Sequence, residues 1–508
     1  MARVRRAVVL AALASVVLAT PSAPADGAGA RFRFGVAAGE IRADSALLWT
    51  RAPLPGPIQL RVSANRAFRP VLRRVAARAL PENDLTIQVL LSRLTPGKRY
   101  WYRFFQRGSL SPVGTFETAP ASTADVKVRF AFSGDADATP RQGKPGYNGF
   151  QVYGRMAAQA NDFNINLGDT IYSDSSLGTR PARTVAEKWE KYRLGLALHP
   201  LRRLRAATGL YSHWDDHEFV DDFSRAENGS AIYDAGVKAF RDYSPVGYSP
   251  ELGLYRSFRW GKNLELFFLD ERSFRSAKAD DACGRDLAPT APQSVRSAFA
   301  TIAPQLADPV SPACLAAIAH PARTMLGAPQ LAAFMQAVQA STATFKVVVN
   351  EVPIQQYYAL PYDRWEGYAA EREVLLRFLQ ANVRNVVFLT TDNHANLVNE
   401  IRYRTLEGSV EGSGMWEAVT GPVATQTFSK EIDRYLGAPG SAALIGSLFF
   451  KPPPPGGVGM SCAALDVYSY AQVTVTSRML TVAPRDAQGR PVREQTGVPC
   501  KPLVVQAR

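Results

Sequence analysis

Residues 164–172 read NINLGDTIY, an apolar stretch that runs directly into glycine and aspartate. Ligands of open α/β sheets bind beyond the carboxyl ends of the strands, where an acid in this position would lie. The glycine that precedes Asp169 allows the backbone a close approach at the turn. The segment therefore predicts a buried strand whose end delivers a carboxylate to a site.

Other apolar stretches end in polar residues in the same way. They run into DAD at 135–137, WDDHE at 214–218, NE at 350–351 and DNH at 392–394. A single strand followed by an acid is unremarkable, but the repeated pattern predicts one shared metal site. Neighbouring cations need a bridging carboxylate and several terminal ligands, and each strand end supplies only one or two side chains.

The pattern of strands and helices predicts two domains. Residues 32–119 contain short alternating strands separated by proline and glycine, which is typical of a small β-sandwich. Over residues 126–508, apolar strands alternate with helical stretches, which predicts an α/β domain with buried sheets. Residues 275–325 and 437–460 are predicted to be long loops or insertions. An alternating strand at 471–476 is predicted to pair with the main sheet.

The N-terminus has the features of a secretory signal peptide, predicted over residues 1–25. Basic residues precede an apolar run at 7–19, and a small-residue cleavage site ends at Ala25. The run is too short to span a bilayer. The pair Arg5-Arg6 leaves both Sec and twin-arginine export open. We therefore expect a secreted, periplasmic or cell-envelope protein without a transmembrane segment.

The net charge limits the kinds of binding partner to expect, and the cysteine content indicates the cellular compartment. The formal net charge of +14 attracts anions such as phosphate esters, nucleic acid or anionic lipid. No nucleic-acid motif accompanies it, so a specific nucleic-acid partner is not expected. An even number of cysteines in an exported chain is compatible with disulfides. Among the three possible pairings, sequence order favours Cys283–Cys314 and Cys462–Cys500.

The ordered set of motifs resembles the calcineurin-like metallophosphoesterases and, within them, the PhoD-type alkaline phosphatases. The similarity covers about residues 32–480 and implies a four-layer α-β-β-α sandwich preceded by a fibronectin type III-like β-sandwich. The matching segments resemble GDxxY at 168–172, WDDHE at 214–218, LDxRxYR at 269–275, DxWDGY at 363–368 and GDxH at 391–394.

The chain departs from the family pattern at two strand ends. PhoD enzymes place a cysteine after the first strand, where this chain has Asp135, the acid that other metallophosphoesterases use. Purple-acid-type relatives place a histidine motif where this chain has Asn350 and Glu351. The first metal is therefore expected to have oxygen ligands and one histidine.

The resemblance implies two or more metal ions with a shared carboxylate. A phenolate ligand favours Fe³⁺, and oxygen ligands favour Ca²⁺, with Mn²⁺ or Mg²⁺ as alternatives. A histidine-rich dizinc site is not expected, since the chain has only 5 histidines. The implied ligands are Asp169 as the bridge, Asp135, Tyr172 and His394 for the first metal, and Asp216, Asp392 and Asn350 for the second.

Further residues are implied to act around the metals. His217 is placed to donate a proton to the leaving alkoxide or to contact the phosphate. Arg272 either holds a phosphate oxygen or forms a structural salt bridge. Asp137 and Asp215 are predicted to support the ligands from behind, with metal ligation or a loop role left open for Asp137. Asn350 is either a ligand or a strand cap.

These features together predict an exported phosphoesterase that hydrolyses phosphate mono- or diesters with a metal-bound hydroxide, which attacks phosphorus in line. The substrate would be a small phosphate ester, a phospholipid or a polymer. A phospholipase D-like phosphodiesterase is the alternative, because PhoD-like sequences include such activities. A non-catalytic envelope binding protein is a further alternative, against which the near-complete ligand set argues.

Overall fold

The computed structural model describes residues 31–178, 180–406 and 409–508. The predicted signal peptide at residues 1–25 lies outside them. In the described part of the chain, the strands form two large sheets, two smaller N-terminal sheets and a short ribbon of Pro140–Arg141 with Lys144–Pro145. None of the helices described is long and apolar enough to span a bilayer.

The N-terminal strands form a β-sandwich. Strand Arg99–Gln106 alternates between outward and buried residues, as expected for a strand with one covered face. Its aromatic residues supply much of the sandwich core, where Tyr100 stacks on Phe116 with ring centroids 5.6 Å apart. The strands are Val36–Gly39, Ala46–Arg51 and Thr86–Leu91 in one sheet, and Gly56–Ser63, Arg73–Ala79, Arg99–Gln106, Ser109–Leu110 and Gly114–Glu117 in the other.

The first large sheet is six-stranded and parallel at one side. Strand Phe163–Leu167 pairs in parallel with Val128–Ser133 and with Gly209–His213, so the carboxyl ends of all three meet at one edge. The C-terminal strand Ser469–Val475 pairs antiparallel with Val128–Ser133, as the alternation at 471–476 predicted. The remaining strands of the sheet are Met479–Asp486 and Leu503–Gln506.

The second large sheet is seven-stranded. Strand Phe345–Asn350 lies in parallel between Leu264–Phe268 and Val386–Thr390, so their carboxyl ends also share one edge. The other strands of this sheet are Arg256–Trp260, Asn396–Arg404, Glu411–Val419 and Cys462–Ala464.

Side-chain alternation explains why these sheets stack with helices on both outer faces. Val347 and Val349 belong to a core that both large sheets share, whereas Val348 packs against the outer helices. In the six-stranded sheet, Phe132 faces the shared core and Ala131 faces the other helical layer. Since both faces of the central strands are covered, even their polar residues, such as Asn164 and Asn166, are buried. The layers are therefore α-β-β-α, which confirms the predicted fold class.

The helices cover the sheets and form the connections between strands. The longer ones pack against the sheets, and the short ones lie mainly in the connecting segments. They are Gln151–Met156, Val185–Ala197, His199–Ala207, Arg225–Asn228, Ser230–Tyr243, Gln293–Phe299, Pro312–Ile318, Ala328–Ala340, Ala369–Asn382, Phe428–Tyr435 and Ser441–Ile445, with 3₁₀ turns at Pro81–Asn83, Asp281–Cys283, Pro304–Ala307, Pro361–Asp363 and Trp365–Tyr368 and a π turn at Gly446–Phe450.

The segments predicted as long loops are more ordered than the sequence suggested. Short helices occur in both 275–325 and 437–460, and their apolar side chains pack together in one buried cluster. Disulfides Cys283–Cys314 and Cys462–Cys500 form, which confirms the predicted pairing. The first one closes the base of the inserted segment at 275–325.

Candidate active site

Candidate ligands adopt the left-handed backbone conformation where their strands end. The φ angles are 62° at Asp135, 47° at Asp169, 65° at Asp392 and 49° at His394. Non-glycine residues rarely occupy this region, and each costs on the order of 1–3 kcal/mol. Such strain persists only where the surroundings enforce it, and it concentrates at functional sites. Each sharp turn lets side chains from separate strands converge at the shared edge.

Two glycines make room for this convergence. A Cβ atom at Gly134 would clash with the carbonyl oxygen of Leu167 on the neighbouring strand. A Cβ atom at Gly421 would clash with Oδ2 of Asp135. Glycine at both positions therefore lets the backbone pass directly behind the first candidate ligand.

The first group of candidate ligands combines Asp135, Asp169 and His394. One ligand atom from each lies within 4.8 Å of the others. The Tyr172 hydroxyl lies 3.1 Å from Nε2 of the histidine, so the phenol belongs to the same group. The other imidazole nitrogen, Nδ1, lies 3.0 Å from a carboxylate oxygen of Glu431. The structure thus brings all of the ligands predicted for the first metal to one place.

The second group combines Asp169, Asp216 and His217, again with ligand atoms within 4.8 Å of one another. Asp169 is therefore common to both groups, which is the geometry that a bridging carboxylate requires. The backbone N–H of His217 donates to Oδ1 of Asp169 at 3.1 Å and fixes the carboxylate between them. Asp392 lies beside the first group, because its backbone N–H donates to Asp135 at 3.3 Å.

His217 is oriented by two neighbours. Its Nδ1 lies 2.6 Å from Oδ1 of Asp174, and its ring stacks on Tyr172 with centroids 4.0 Å apart. Its Nε2 lies 4.0 Å from Asp169 and 3.7 Å from Asp221, within the cleft. Burial alone lowers the pKa of His217, but the carboxylates of Asp216 and Asp169 raise it well above its usual range.

Arg272 lies behind the acidic residues and is fully enclosed. Its Nε donates to Asp215 at 2.6 Å and its Nη1 donates to Asp363 at 2.8 Å. Its Nη2 has no hydrogen-bond partner among the described residues and lies 4.0 Å from Asp392. These contacts match the structural salt bridge that the sequence analysis gave as one of two roles for Arg272. Through them, Arg272 positions Asp215 and balances the charge of Asp392.

Asp137 and Asn350 form hydrogen bonds with neighbouring groups. Asp137 accepts from the backbone of Thr139 at 2.8 Å and from the hydroxyl of Ser175, so it shapes the loop after its strand. Asn350 donates through Nδ2 to the carbonyl of Val352, and its Oδ1 accepts from the Trp365 indole at 3.3 Å. These bonds match the strand-cap alternative for Asn350 and the loop alternative for Asp137.

Two residues of the site were missed by the sequence analysis. Asp174 lies in an irregular loop just beyond the GDxxY segment, and its proximity to Tyr172 in sequence was the one available signal. Glu431 comes from the helix Phe428–Tyr435, far from every strand end. No local pattern identifies it, because only the tertiary fold places it against His394.

The clustered, buried acidic side chains of the site are suited to binding cations. Burial raises the pKa of Asp135 to about 7, and it raises the pKa values of Asp169 and Asp392 well above the usual range. Burial alone lowers the pKa of His394, but Glu431 overcomes this and raises it to about 9. Oδ2 of Asp135 is buried without a hydrogen-bond partner among the described residues. Several carboxylates enclosed together, one with an unsatisfied oxygen, are the donor set that hard metal ions require.

The acidic groups open into a cleft of ≈480 Å³. Asp169, Asp216 and His217 line one end of it, and Asp392 and His394 line the adjoining wall. The cleft is large enough for an organic ester, and the carboxylates sit at its polar end. This arrangement can hold cations against a phosphate group that enters from the cleft.

Comparison with known proteins agrees with this geometry. A family model described as PhoD-like phosphatase matches residues 139–444, and its N-terminal domain model matches residues 18–120. Alkaline phosphatase D of Bacillus subtilis (strain 168) is 29% identical over 417 residues. The alignment covers 73% of this chain and spans 65% of the length of that relative.

Solved structures show the same fold. A structure of PhoD superposes with a TM-score of 0.74 at 22% identity, covering 93% of this chain and 95% of the other. A purple acid phosphatase from yellow lupin (Lupinus luteus) seeds superposes with a TM-score of 0.54 at 11% identity, covering 93% of this chain and 73% of the other. Both support the four-layer architecture with its N-terminal β-sandwich.

Proposed function

The chain belongs to the PhoD-like phosphatase family, and from this premise we propose that it is an exported, metal-dependent phosphoesterase. Its substrates are phosphate mono- or diesters. The observation that carries the proposal is the position of Asp169, whose carboxylate is shared by both acidic groups. A carboxylate between cations is the arrangement that phosphoester hydrolysis with paired metals uses.

The donor atoms point to hard cations. Asp135, Tyr172 and His394 would hold the first ion together with Asp169, and Asp216 and Asp392 would hold the second. A phenolate oxygen suits Fe³⁺, and the carboxylates suit Ca²⁺, Mn²⁺ or Mg²⁺. When bound, such ions supply Lewis acidity, which neutralises charge on the phosphoryl group and acidifies the attacking water.

The chain's own residues would orient the ester and manage protons. His217 directs Nε2 into the cleft because Nδ1 is bound by Asp174 at 2.6 Å. From there it can donate a proton to the leaving oxygen or hydrogen-bond the phosphate. Arg272 keeps Asp215 fixed, and Glu431 fixes the ring of His394. Such neighbours set the orientation of ligating side chains.

Export is supported by the cysteines. The folded protein contains the disulfides Cys283–Cys314 and Cys462–Cys500. Disulfides persist mainly in oxidising compartments. The predicted leader at residues 1–25 agrees with this assignment. We therefore place the enzyme in the cell envelope or outside the cell.

A metal-resolved assay tests the proposal. The purified protein would be stripped with a chelator, reloaded with single metals and with iron plus calcium, and assayed on matched phosphate mono- and diesters. We expect activity to disappear on chelation and to return with specific metals. Binding of phosphate without turnover in any metal state would instead identify a non-catalytic binding protein.

A further inference from the structure

A second cleft, which we call the basic cleft, lies between the N-terminal β-sandwich and the helix His199–Ala207. Its volume is ≈450 Å³, which suits a small organic ligand. It shares no lining residue with the acidic cleft of the candidate active site, and none of its lining residues in the described part of the chain is an aspartate or a glutamate. Its charged and aromatic side chains are those of Phe32, Arg66, Trp101, His199, Arg202 and Arg203.

One side of the helix forms a wall of the basic cleft. His199, Arg203 and Ala206 follow one another at intervals of three and four residues, so they lie on the same face. Leu201 and Leu204 lie on the other face and are buried in the protein core. The basic cleft therefore receives the polar face of an amphipathic helix.

Arg202 is fixed by the fold. Its Nη1 donates to the carbonyls of Leu196 at 2.5 Å and Ala197 at 2.6 Å, at the carboxyl end of the preceding helix. Its aliphatic stem lies against Gly35, where a Cβ atom would be 3.6 Å from it. Its Nε and Nη2 have no hydrogen-bond partner among the described residues. An arginine that is already ordered loses less conformational freedom when it binds an anion.

Arg66 and Arg203 add positive charge from opposite walls. Arg66 belongs to a loop of the sandwich and Arg203 belongs to the helix, and both side chains are exposed. Neither guanidinium has a hydrogen-bond or ion-pair partner within the described ranges of the chain. Glu117, on a strand that borders the cleft, is already paired with Arg99 at 3.2 Å. The free guanidinium groups can therefore bind a phosphate through charge-assisted hydrogen bonds.

Trp101 gives the sandwich wall a flat apolar surface. It lies between Ser63 and Thr115 of the neighbouring strands and is half-buried. Its indole contacts no other ring or guanidinium group among the residues that the structure describes. An aromatic face beside unpaired guanidinium groups suits a ligand in which a planar ring is joined to a phosphate.

We propose that the basic cleft binds a small organic anion in which a phosphate group is linked to a planar aromatic ring. The phosphate lies against Arg66, Arg202 and Arg203, and the ring stacks on Trp101. This site is separate from the acidic cleft, whose carboxylates repel an anion unless cations are bound. Nucleotides and aryl phosphates share the required chemistry.

Titration calorimetry at fixed ionic strength tests the site in the metal-loaded protein and again after chelation. The ligands are phenylphosphonate and the methylenephosphonate analogue of adenosine monophosphate, whose carbon–phosphorus bonds a phosphoesterase does not cleave. Methylphosphonate lacks a ring and is the ligand control. We expect a binding event that survives chelation and strengthens by about tenfold when a ring is added. Tighter binding of the adenosine compound assigns the site to nucleotides, and tighter binding of phenylphosphonate assigns it to aryl phosphates.

Substitutions locate the phosphate and the ring. We expect Arg203→Gln to weaken the binding of all three ligands by about tenfold. Trp101→Leu should remove only the gain that the ring provides. Arg78→Gln is the matched control, because Arg78 is exposed on the strand Arg73–Ala79 of the same sandwich and does not line the cleft. Its affinities should equal those of the unmodified protein.

The outcomes separate the basic cleft from the active site. Phenylphosphonate should inhibit hydrolysis of p-nitrophenyl phosphate competitively, with the same inhibition constant in Arg203→Gln, because that inhibition reports the acidic cleft. Loss of all binding on chelation would overturn the basic cleft and leave the phosphoesterase standing. An equal loss of affinity in Arg203→Gln and Arg78→Gln would indicate general attraction to a basic surface and would also overturn it. Binding that survives chelation and is weakened only in Arg203→Gln supports the site, whether or not any ester is hydrolysed.

Discussion

The imidazole Nδ1 of His217 lies 2.6 Å from Oδ1 of Asp174, an acid that belongs to none of the strand-end motifs. Burial alone would raise the pKa of Asp174, but the hydrogen bond and charge of His217 lower it to about 2. The carboxylate is therefore ionised at neutral pH. It accepts the Nδ1 proton and leaves Nε2 facing the cleft.

This pair predicts a positioning role for Asp174. Asp174→Asn should lower kcat about 10- to 100-fold with little change in KM, because the imidazole loses its fixed tautomer and orientation. Kinetics in the His217→Ala background provide the control. There the same substitution should have no additional effect, since the group that it orients is gone. An equal loss in both backgrounds would mean that Asp174 acts by maintaining the loop.

The shared carboxylate leads to a second prediction. Asp169→Asn should reduce activity by at least about 100-fold and lower the content of both metals, since one fewer charge weakens both groups. Metal analysis by plasma mass spectrometry and circular dichroism would check occupancy and folding. Asp234→Asn removes an exposed carboxylate from the helix Ser230–Tyr243 and serves as the control. Normal metal content with normal turnover in Asp169→Asn would contradict the bimetal arrangement.

The disulfides give a third prediction. In the mature protein, thiol titration under denaturing, non-reducing conditions should detect no free thiol, because all cysteines are paired in the structure. After reduction, the same titration should detect the full set of 4. A complete set of free thiols before reduction would argue against an oxidising compartment.

Asp84 joins the N-terminal sandwich to the α/β domain and predicts a pH-dependent stability. It accepts from Arg51 at 2.8 Å and from Arg193 at 2.6 Å, and the Tyr243 hydroxyl also donates to it. Burial alone would raise the pKa of Asp84, but the hydrogen bond from Arg51 and its other partners lower it below the usual range. The stabilisation is therefore present above the unfolded-state pKa of about 4 and is lost as the pH falls through the folded-state value.

Denaturant unfolding of Asp84→Asn would measure this contribution. At neutral pH we expect a loss of about 1–3 kcal/mol in the free energy of unfolding, with screening by solvent favouring the lower end. The difference from the unmodified protein should shrink at acid pH, where the carboxylate is protonated. Glu82→Gln, an exposed neighbour, is the control. A difference that stays constant across this pH range would show that packing rather than charge is responsible.

The sequence predicted the parts of the site that lie at strand ends. Asp135, Asp169 and Asp392 each follow an apolar strand, and parallel strands bring their carboxyl ends to one edge. Glu431 could not be predicted, because its helix reaches His394 only through tertiary packing.

Tyr172 provides the final prediction, which concerns the identity of the first metal. Its hydroxyl lies 3.1 Å from Nε2 of His394 and is buried beside Asp169. If the phenolate binds Fe³⁺, the iron-loaded protein should show a visible charge-transfer band. Tyr172→Phe should remove the band and lower the iron content, while the second metal is retained.

A packed tyrosine without a ligand role leads to a different result. In that case Tyr172→Phe would cost about 0.5–1.5 kcal/mol for one hydrogen bond and leave metal content and rate unchanged. Tyr211→Phe is the matched control, since its buried hydroxyl donates to the backbone carbonyl of Ile41 at 2.6 Å rather than to a candidate ligand. A colourless, iron-free protein with full activity would reject Fe³⁺ and leave a phosphoesterase with divalent ions. If Tyr172→Phe retained both metals and the full rate, Tyr172 would not be a metal ligand. A side chain that binds the cation cannot lose its donor oxygen without weakening metal binding at that site.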